Sequence, residues 1–182
     1  RLLQGDITGN ATGTVTHVRG TQALAFGHPM MGGGETALPA GLARIVWILA
    51  NQRRSFKISE AVRAMGAMVQ DRGAGIVVDT AAQAPTLPVR VEVVGADGAP
   101  HHTWNVTVAG WRPVVARLAG SVVDTALEET ASDMGDIAWT ATSRLVLRGR
   151  APVEFTELGS SVEGVRSIRG LGAIELLRRA LD

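Results

Sequence analysis

An imidazole at the end of an apolar run, set between a flexible residue and a rigid one, is suited to take and return protons. Such a residue stands at His28. Residues 13–28 read as two short β-type runs flanking a Gly-containing turn, and the second stops on Gly27-His28-Pro29. Pro29 fixes the local backbone and removes a competing N–H, while Gly27 permits conformations that a side chain would forbid. A general base needs one ring nitrogen free towards its target and the other held. Spacing alone leaves the plainer alternative, a histidine that merely ends a strand.

Other reactive residue types narrow the chemistry. The chain has no cysteine, which removes disulfides, thiolate catalysis and cysteine-bound metals. His101-His102 are adjacent, so on a strand they point to opposite faces, and with His17 and His28 they lack the spacing of a ligand set. No metal site is expected. Gly32-Gly33-Gly34 reads as a mobile surface loop, with backbone N–H groups brought towards an anion or a substrate carbonyl as the alternative. It is no phosphate loop, because the Gly-Lys-Ser/Thr signature is missing. Trp47, Trp104, Trp111 and Trp139 are irregularly spaced and read as core or barrel-end residues.

The elements that must position these groups are mostly strands. Val89, Val91 and Val93 share one face against Arg90 and Glu92. After a turn at Gly95-Ala96-Asp97-Gly98, Trp104, Val106 and Val108 alternate with Asn105 and Thr107. Ile137, Trp139 and Ala141 continue the pattern towards Leu145 and Leu147, and Gly75–Asp79 reads as a short buried strand. Between Leu42 and Ile58, alanine and leucine favour a helix, whereas Val46-Trp47-Ile48 and Phe56–Ile58 favour strands around Asn51–Arg54. The β-rich surroundings decide for strands.

Helical spacing appears twice. Val122, Val123, Ala126, Leu127 and Thr130 share a face, with Ser121 as N-cap and Gly135 near the stop. Leu171, Ile174, Leu177 and Leu181 form a second face, with Arg178 and Arg179 at the negative end of the dipole. The residues thus predict a mainly β protein, barrel or sandwich, with one or two helices. Pro85 and Pro88 make 81–88 the best lobe boundary.

With 182 residues, 46 % of them hydrophobic, the chain can bury a sizeable core. A net charge of +1 from 18 basic and 17 acidic residues argues against binding nucleic acid by phosphate neutralisation. Lys57 is the only lysine. No apolar run approaches the ~18 residues of a membrane span. The chain begins at Arg1 without methionine and runs at once into Gly5-Asp6, which reads as a fragment or processed piece.

Gly13-Thr14-Val15-Thr16, a turn, and an apolar strand closing on Gly27-His28 resemble the SpoIVB-type serine peptidases of the chymotrypsin-like clan. Ser55-Phe56-Lys57, the run Gln70-Asp71-Arg72-Gly73-Ala74-Gly75-Ile76, and Gly5-Asp6-Ile7 extend the resemblance over roughly residues 1–95, the last as in longer, non-sporulation relatives. The second half carries no specific motif. The resemblance implies a chymotrypsin-like double β-barrel, or part of one, as a single domain over residues 1–182. It makes His28 the general base, with backbone amides as oxyanion hole and no cofactor. It further implies a protein or peptide substrate, cleavage in cis included, and export from the bacterial cytoplasm to the periplasm, cell envelope or exterior.

One departure is specific. The family's nucleophile lies in Gly-x-Ser-Gly-x-Pro, and Gly159-Ser160-Ser161 is the nearest approach here. In the longer relatives that motif precedes the Gly-Asp-Ile lead-in, which would place the serine before Arg1 and leave this chain inert alone. A triad also needs a carboxylate to orient the imidazole. Asp6, Asp71 and Asp79 adjoin apolar strand-like runs, although Asp71 beside Arg72 also reads as a paired structural carboxylate and Asp79 as a turn cap. The rival expectation is a non-catalytic β-domain serving as a binding or assembly module in the cell envelope.

Overall fold

The computed structural model describes residues 1–53, 55–95, 101–168 and 170–181. In chain order it contains β1 (Leu3–Gly5), β2 (Val15–Arg19), β3 (Gln22–Ala25), β4 (Gly34–Leu49), β5 (Phe56–Arg72), β6 (Gly75–Asp79), β7 (Thr86–Val94) and β8 (His101–Ala109). Then follow α1 (Arg112–Ala131), β9 (Ile137–Leu145), β10 (Val153–Ser161), a 3-10 turn (Gly164–Ser167) and α2 (Gly172–Leu181). Strand accounts for 50 % of residues and helix for 19 %, so the protein is mainly β with two helices. The strands form sheets in the orders β2-β3-β6-β5-β4, β1-β8-β7 and β10-β9. Two compact units contain Arg1–Leu87 with Thr107–Trp111, and Pro88–Val106 with Arg112–Asp182.

The five-stranded sheet belongs to the first unit. Ala23, Ala25, Leu38, Met68 and Ile76 are buried along its strands, and Ala67, which takes the opposite face from Met68, is buried as well. Antiparallel pairing sets Ala25 opposite Ile76 and Asp71 opposite both Gly34 and Ile76. That register brings the end of β3, the start of β4 and the β5–β6 turn together. β2, at one edge of the sheet, is exposed along all five residues.

β4 and β5 form a long hairpin whose residues 41–49 and 56–64 are almost wholly exposed. Trp47 lies here at 66 % exposure, which removes the core from the two places expected for it, core or barrel end. Its pairing with Ile58, next to Leu49 with Phe56, satisfies strand geometry without burying the rings. Trp104, Trp111 and Trp139 are half-buried, and Trp104 Nε1 donates to Thr130 Oγ1 at 3.0 Å.

In the second unit α1 begins at Arg112, nine residues before the expected Ser121 cap. Pro113 is tolerated in a first helical turn, and Val114, Val115, Ala116 and Ala119 extend the buried stripe of Val122 and Ala126 backwards. Ser121 therefore sits mid-helix, its hydroxyl donating to Arg117 O at 3.0 Å. Ala131, Val165 and Ile168 form a core against Leu127, Ile137, Trp139 and Leu171. α2 ends on Arg178 and Arg179, both paired with Glu175. Those guanidinium hydrogen bonds, Arg178 foremost, pull the Glu175 carboxyl down to about 2. β10 was not legible as a strand, yet it pairs with all of β9. In the turn expected between β7 and β8, Ala96–Gly98 lie outside the described residues, as does Arg54 in the β4–β5 connection.

Candidate functional site

His28 lies three residues beyond β3 and is exposed. Its ring is fixed on two sides. Nδ1 lies 2.7 Å from Pro29 O, and the Phe26 ring stands 5.7 Å away, tilted by 53°. Phe26 holds that position at a cost. Its φ of 73°, followed by 73° at Gly27, is a conformation worth about 1–3 kcal/mol of strain in a side-chain-bearing residue.

The strain persists because neighbours hold it. Phe26 N donates to Thr14 O at 3.0 Å. Gly13 has no side chain to oppose the ring, since a Cβ there would meet Phe26 Cδ1 at 2.0 Å. Lys57 Nζ donates to Thr14 Oγ1 at 2.7 Å, and Thr12 Oγ1 meets Ser59 Oγ at 2.6 Å. From the other side, Gly75 packs so closely that its Cβ would meet Ala25 O at 2.7 Å. Gly13-Thr14, Phe26-Gly27-His28, Lys57 and the Asp71–Ile76 run are distant in sequence and brought together here.

Asp71 organises the turn after His28. It is a buried carboxylate at 1 % exposure. Met30 N donates to Oδ1 at 2.7 Å, and Met31 N and Gly32 N donate to Oδ2 at 2.7 and 2.9 Å. Burial alone would raise this carboxyl. The backbone N–H groups of Met31, Met30, Gly33 and Gly32 outweigh burial and hold it below its ordinary value. The N–H groups of Met30, Met31 and Gly32, at the head of the glycine run, thus gather on an anion, and the anion is the chain's own aspartate. Gly33 also lets Trp111 lie against the turn, where a Cβ would meet Cη2 at 2.5 Å.

The carboxylates expected near the imidazole are therefore occupied elsewhere. Asp71 makes no direct hydrogen bond to His28 among the described residues, and it does not pair with Arg72. Arg72 Nε donates instead to Gln70 Oε1 at 2.6 Å, because consecutive strand residues face opposite sides and Arg72 faces solvent. Asp79 Oδ1 accepts from Ala81 N at 2.9 Å, capping the turn after β6. Asp6 is exposed beyond β1. Ser160 and Ser161 end β10, and Ser161 Oγ accepts from Glu163 N at 2.8 Å.

His101 and His102 diverge as strand geometry requires. His101 Nε2 reaches Glu92 Oε1 at 3.4 Å, and the His102 ring lies 4.5 Å from that of Trp104. Among the described residues no group of three His, Asp or Glu gathers that could hold a metal ion, and no helix is long and apolar enough to cross a membrane. Two features of the site escaped the sequence, the left-handed Phe26 and the Lys57–Thr14 bond. Only the singularity of Lys57 in an arginine-rich chain hinted at the second. Comparison with family models, curated proteins and solved structures found no match to this chain.

Proposed function

We propose that this chain is the histidine-bearing portion of a SpoIVB-like serine endopeptidase domain, on a chymotrypsin-like barrel scaffold. In this reading His28 is the general base and the nucleophilic serine lies in a segment upstream of Arg1. One observation supports it most. Four of the segments that carry the resemblance, Gly13-Thr14, Phe26-Gly27-His28, Lys57 and Asp71–Ile76, meet at the stretch of chain that presents one exposed imidazole. A strained residue beside it is the arrangement expected where function, rather than stability, has set the backbone.

The reaction is acyl transfer to water. A serine hydroxyl gives its proton to His28 and attacks the peptide carbonyl, and the imidazolium protonates the leaving amine. Water that gives a proton to His28 then attacks the acyl-serine, releasing the acid and restoring the serine hydroxyl. The substrate class is a protein or peptide, with cleavage in cis included, outside the bacterial cytoplasm. No cofactor enters this chemistry. A longer chain extending upstream of Arg1 should hydrolyse peptides, and His28→Ala should abolish that activity. Equal hydrolysis by the variant would remove the proposal.

A second reading has its own support. Trp47, Leu49, Phe56 and Ile58 are more than half exposed on one stretch of hairpin, the kind of apolar surface that marks interaction sites. A non-catalytic binding or assembly module would use this surface and leave His28 idle. Absence of a Gly-x-Ser-Gly-x-Pro motif from the whole protein would favour that reading.

A further inference from the structure

The hydrogen bond of the His28 ring supports an inference that deepens the peptidase reading and rests on it. A carbonyl oxygen can only accept, so Nδ1, at 2.7 Å from Pro29 O, carries the hydrogen. In the neutral ring the lone pair is then on Nε2. The same peptide unit makes a second bond at its other end, where Met30 N–H donates to Asp71 Oδ1 at 2.7 Å. Reading outward from the buried charge, the Asp71 carboxylate accepts from Met30 N–H, and the Pro29 carbonyl of that planar unit accepts from His28 Nδ1–H.

We propose that Asp71 is a positioning residue for His28, acting through the Pro29–Met30 peptide where a triad would place a carboxylate directly on the ring. The relay has three physical parts. A peptide unit is rigid, so fixing its N–H fixes its C=O. Proline restricts the backbone on one side, and the Met31 and Gly32 bonds to Asp71 Oδ2 fix it on the other. A peptide whose N–H faces an anion is polarised, which strengthens its carbonyl as an acceptor.

The consequence for chemistry is directional. Nδ1 is committed, so Nε2 is the nitrogen that takes the proton of a hydroxyl. When it does so, the Nδ1–H bond to Pro29 O becomes charge-assisted and gains strength as the positive charge develops. The relay also explains why burying Asp71 is compatible with a role at an exposed ring. Its charge does not reach solvent, and the peptide carries its influence outward.

The test reads the tautomer of His28 directly by nitrogen and carbon NMR of the neutral ring, with the resonance assigned by its loss in His28→Gln. An unrestrained histidine favours the Nε2–H form in water, whereas this chain is expected to show mainly Nδ1–H. Asp71→Asn should lower the ratio of Nδ1–H to Nε2–H by roughly fivefold, the order expected for weakening one hydrogen bond. Pro29→Gly alters only an exposed residue and should move the ratio the same way, which keeps the test available if Asp71→Asn does not fold. A majority of Nε2–H in the wild type, or an unchanged ratio in the folded variants, would overturn the relay. The measurement needs neither serine nor substrate, so its result stands apart from the outcome of any hydrolysis assay.

Discussion

Asp71 is the residue on which the local structure turns. Its charge is buried and satisfied by main-chain donors alone, so removing it strands several N–H groups at once. Asp71→Asn is expected to cost about 2–4 kcal/mol in urea unfolding, with loss of amide-exchange protection at residues 30–33. The folded carboxyl is held below its ordinary value of 3.8. Its contribution is therefore complete above that value and lost as pH falls through the lower folded one. The stability gap between wild type and Asp71→Asn should stay constant at neutral pH and close in acid below about pH 4. A gap that persisted there would deny the charge its role. Gly13→Ala is expected to push the Phe26 ring off its seat and destabilise by about 1–3 kcal/mol, with loss of the Phe26 ring-current shift at His28. The place of His28, exposed just beyond a strand, was legible because a glycine and a proline bracket it. The partner of Asp71 was not, since a neighbouring arginine in sequence says nothing about which face of a strand each residue takes.

At the scale of elements, the β4–β5 hairpin is folded without being covered. Its distal pairs, Trp47 with Ile58 and Leu49 with Phe56, show that hydrogen-bonded register and burial are separate requirements. A Trp47→Ser, Phe56→Ser double variant should therefore change thermal stability by no more than about 0.5 kcal/mol while reducing self-association in light scattering. A large fall in stability would mean that these rings are buried in solution. Alternation reveals β7, β8 and β9, an apolar run reveals β6, and leucine spacing reveals α2. Only Val46–Ile48 and Phe56–Ile58 of the long β4 and β5 read as strands, on the strength of their β-rich surroundings. The expected α1 is too short because Ser121 offers an N-cap side chain, whereas the helix opens at Arg112 with Pro113 in its first turn. β10 was missed because Glu157 and Gly159 occupy its inward positions, where a strand pattern calls for apolar side chains. Gly159 is there for space, as a Cβ would meet the Trp139 ring at 2.7 Å.

For the whole molecule, the mainly β class followed from patterning, while the gathering of the site depended on non-local pairing that no local pattern encodes. The register of β3, β5 and β6 brings residues 25, 71 and 76 together, and only the resemblance had tied those segments to one function. The chain alone should not react with a serine-directed fluorophosphonate, because a base without a nucleophile has nothing to activate. The decisive measurement is the labelling rate of a longer chain that extends upstream of Arg1, with and without His28. Wild type should label at a single upstream serine, and His28→Ala should slow that labelling by about 10⁴-fold or more, the scale on which triad members act. Labelling that is indifferent to His28, or that falls on Ser160 or Ser161 of this chain, would contradict the assignment of His28 as the base.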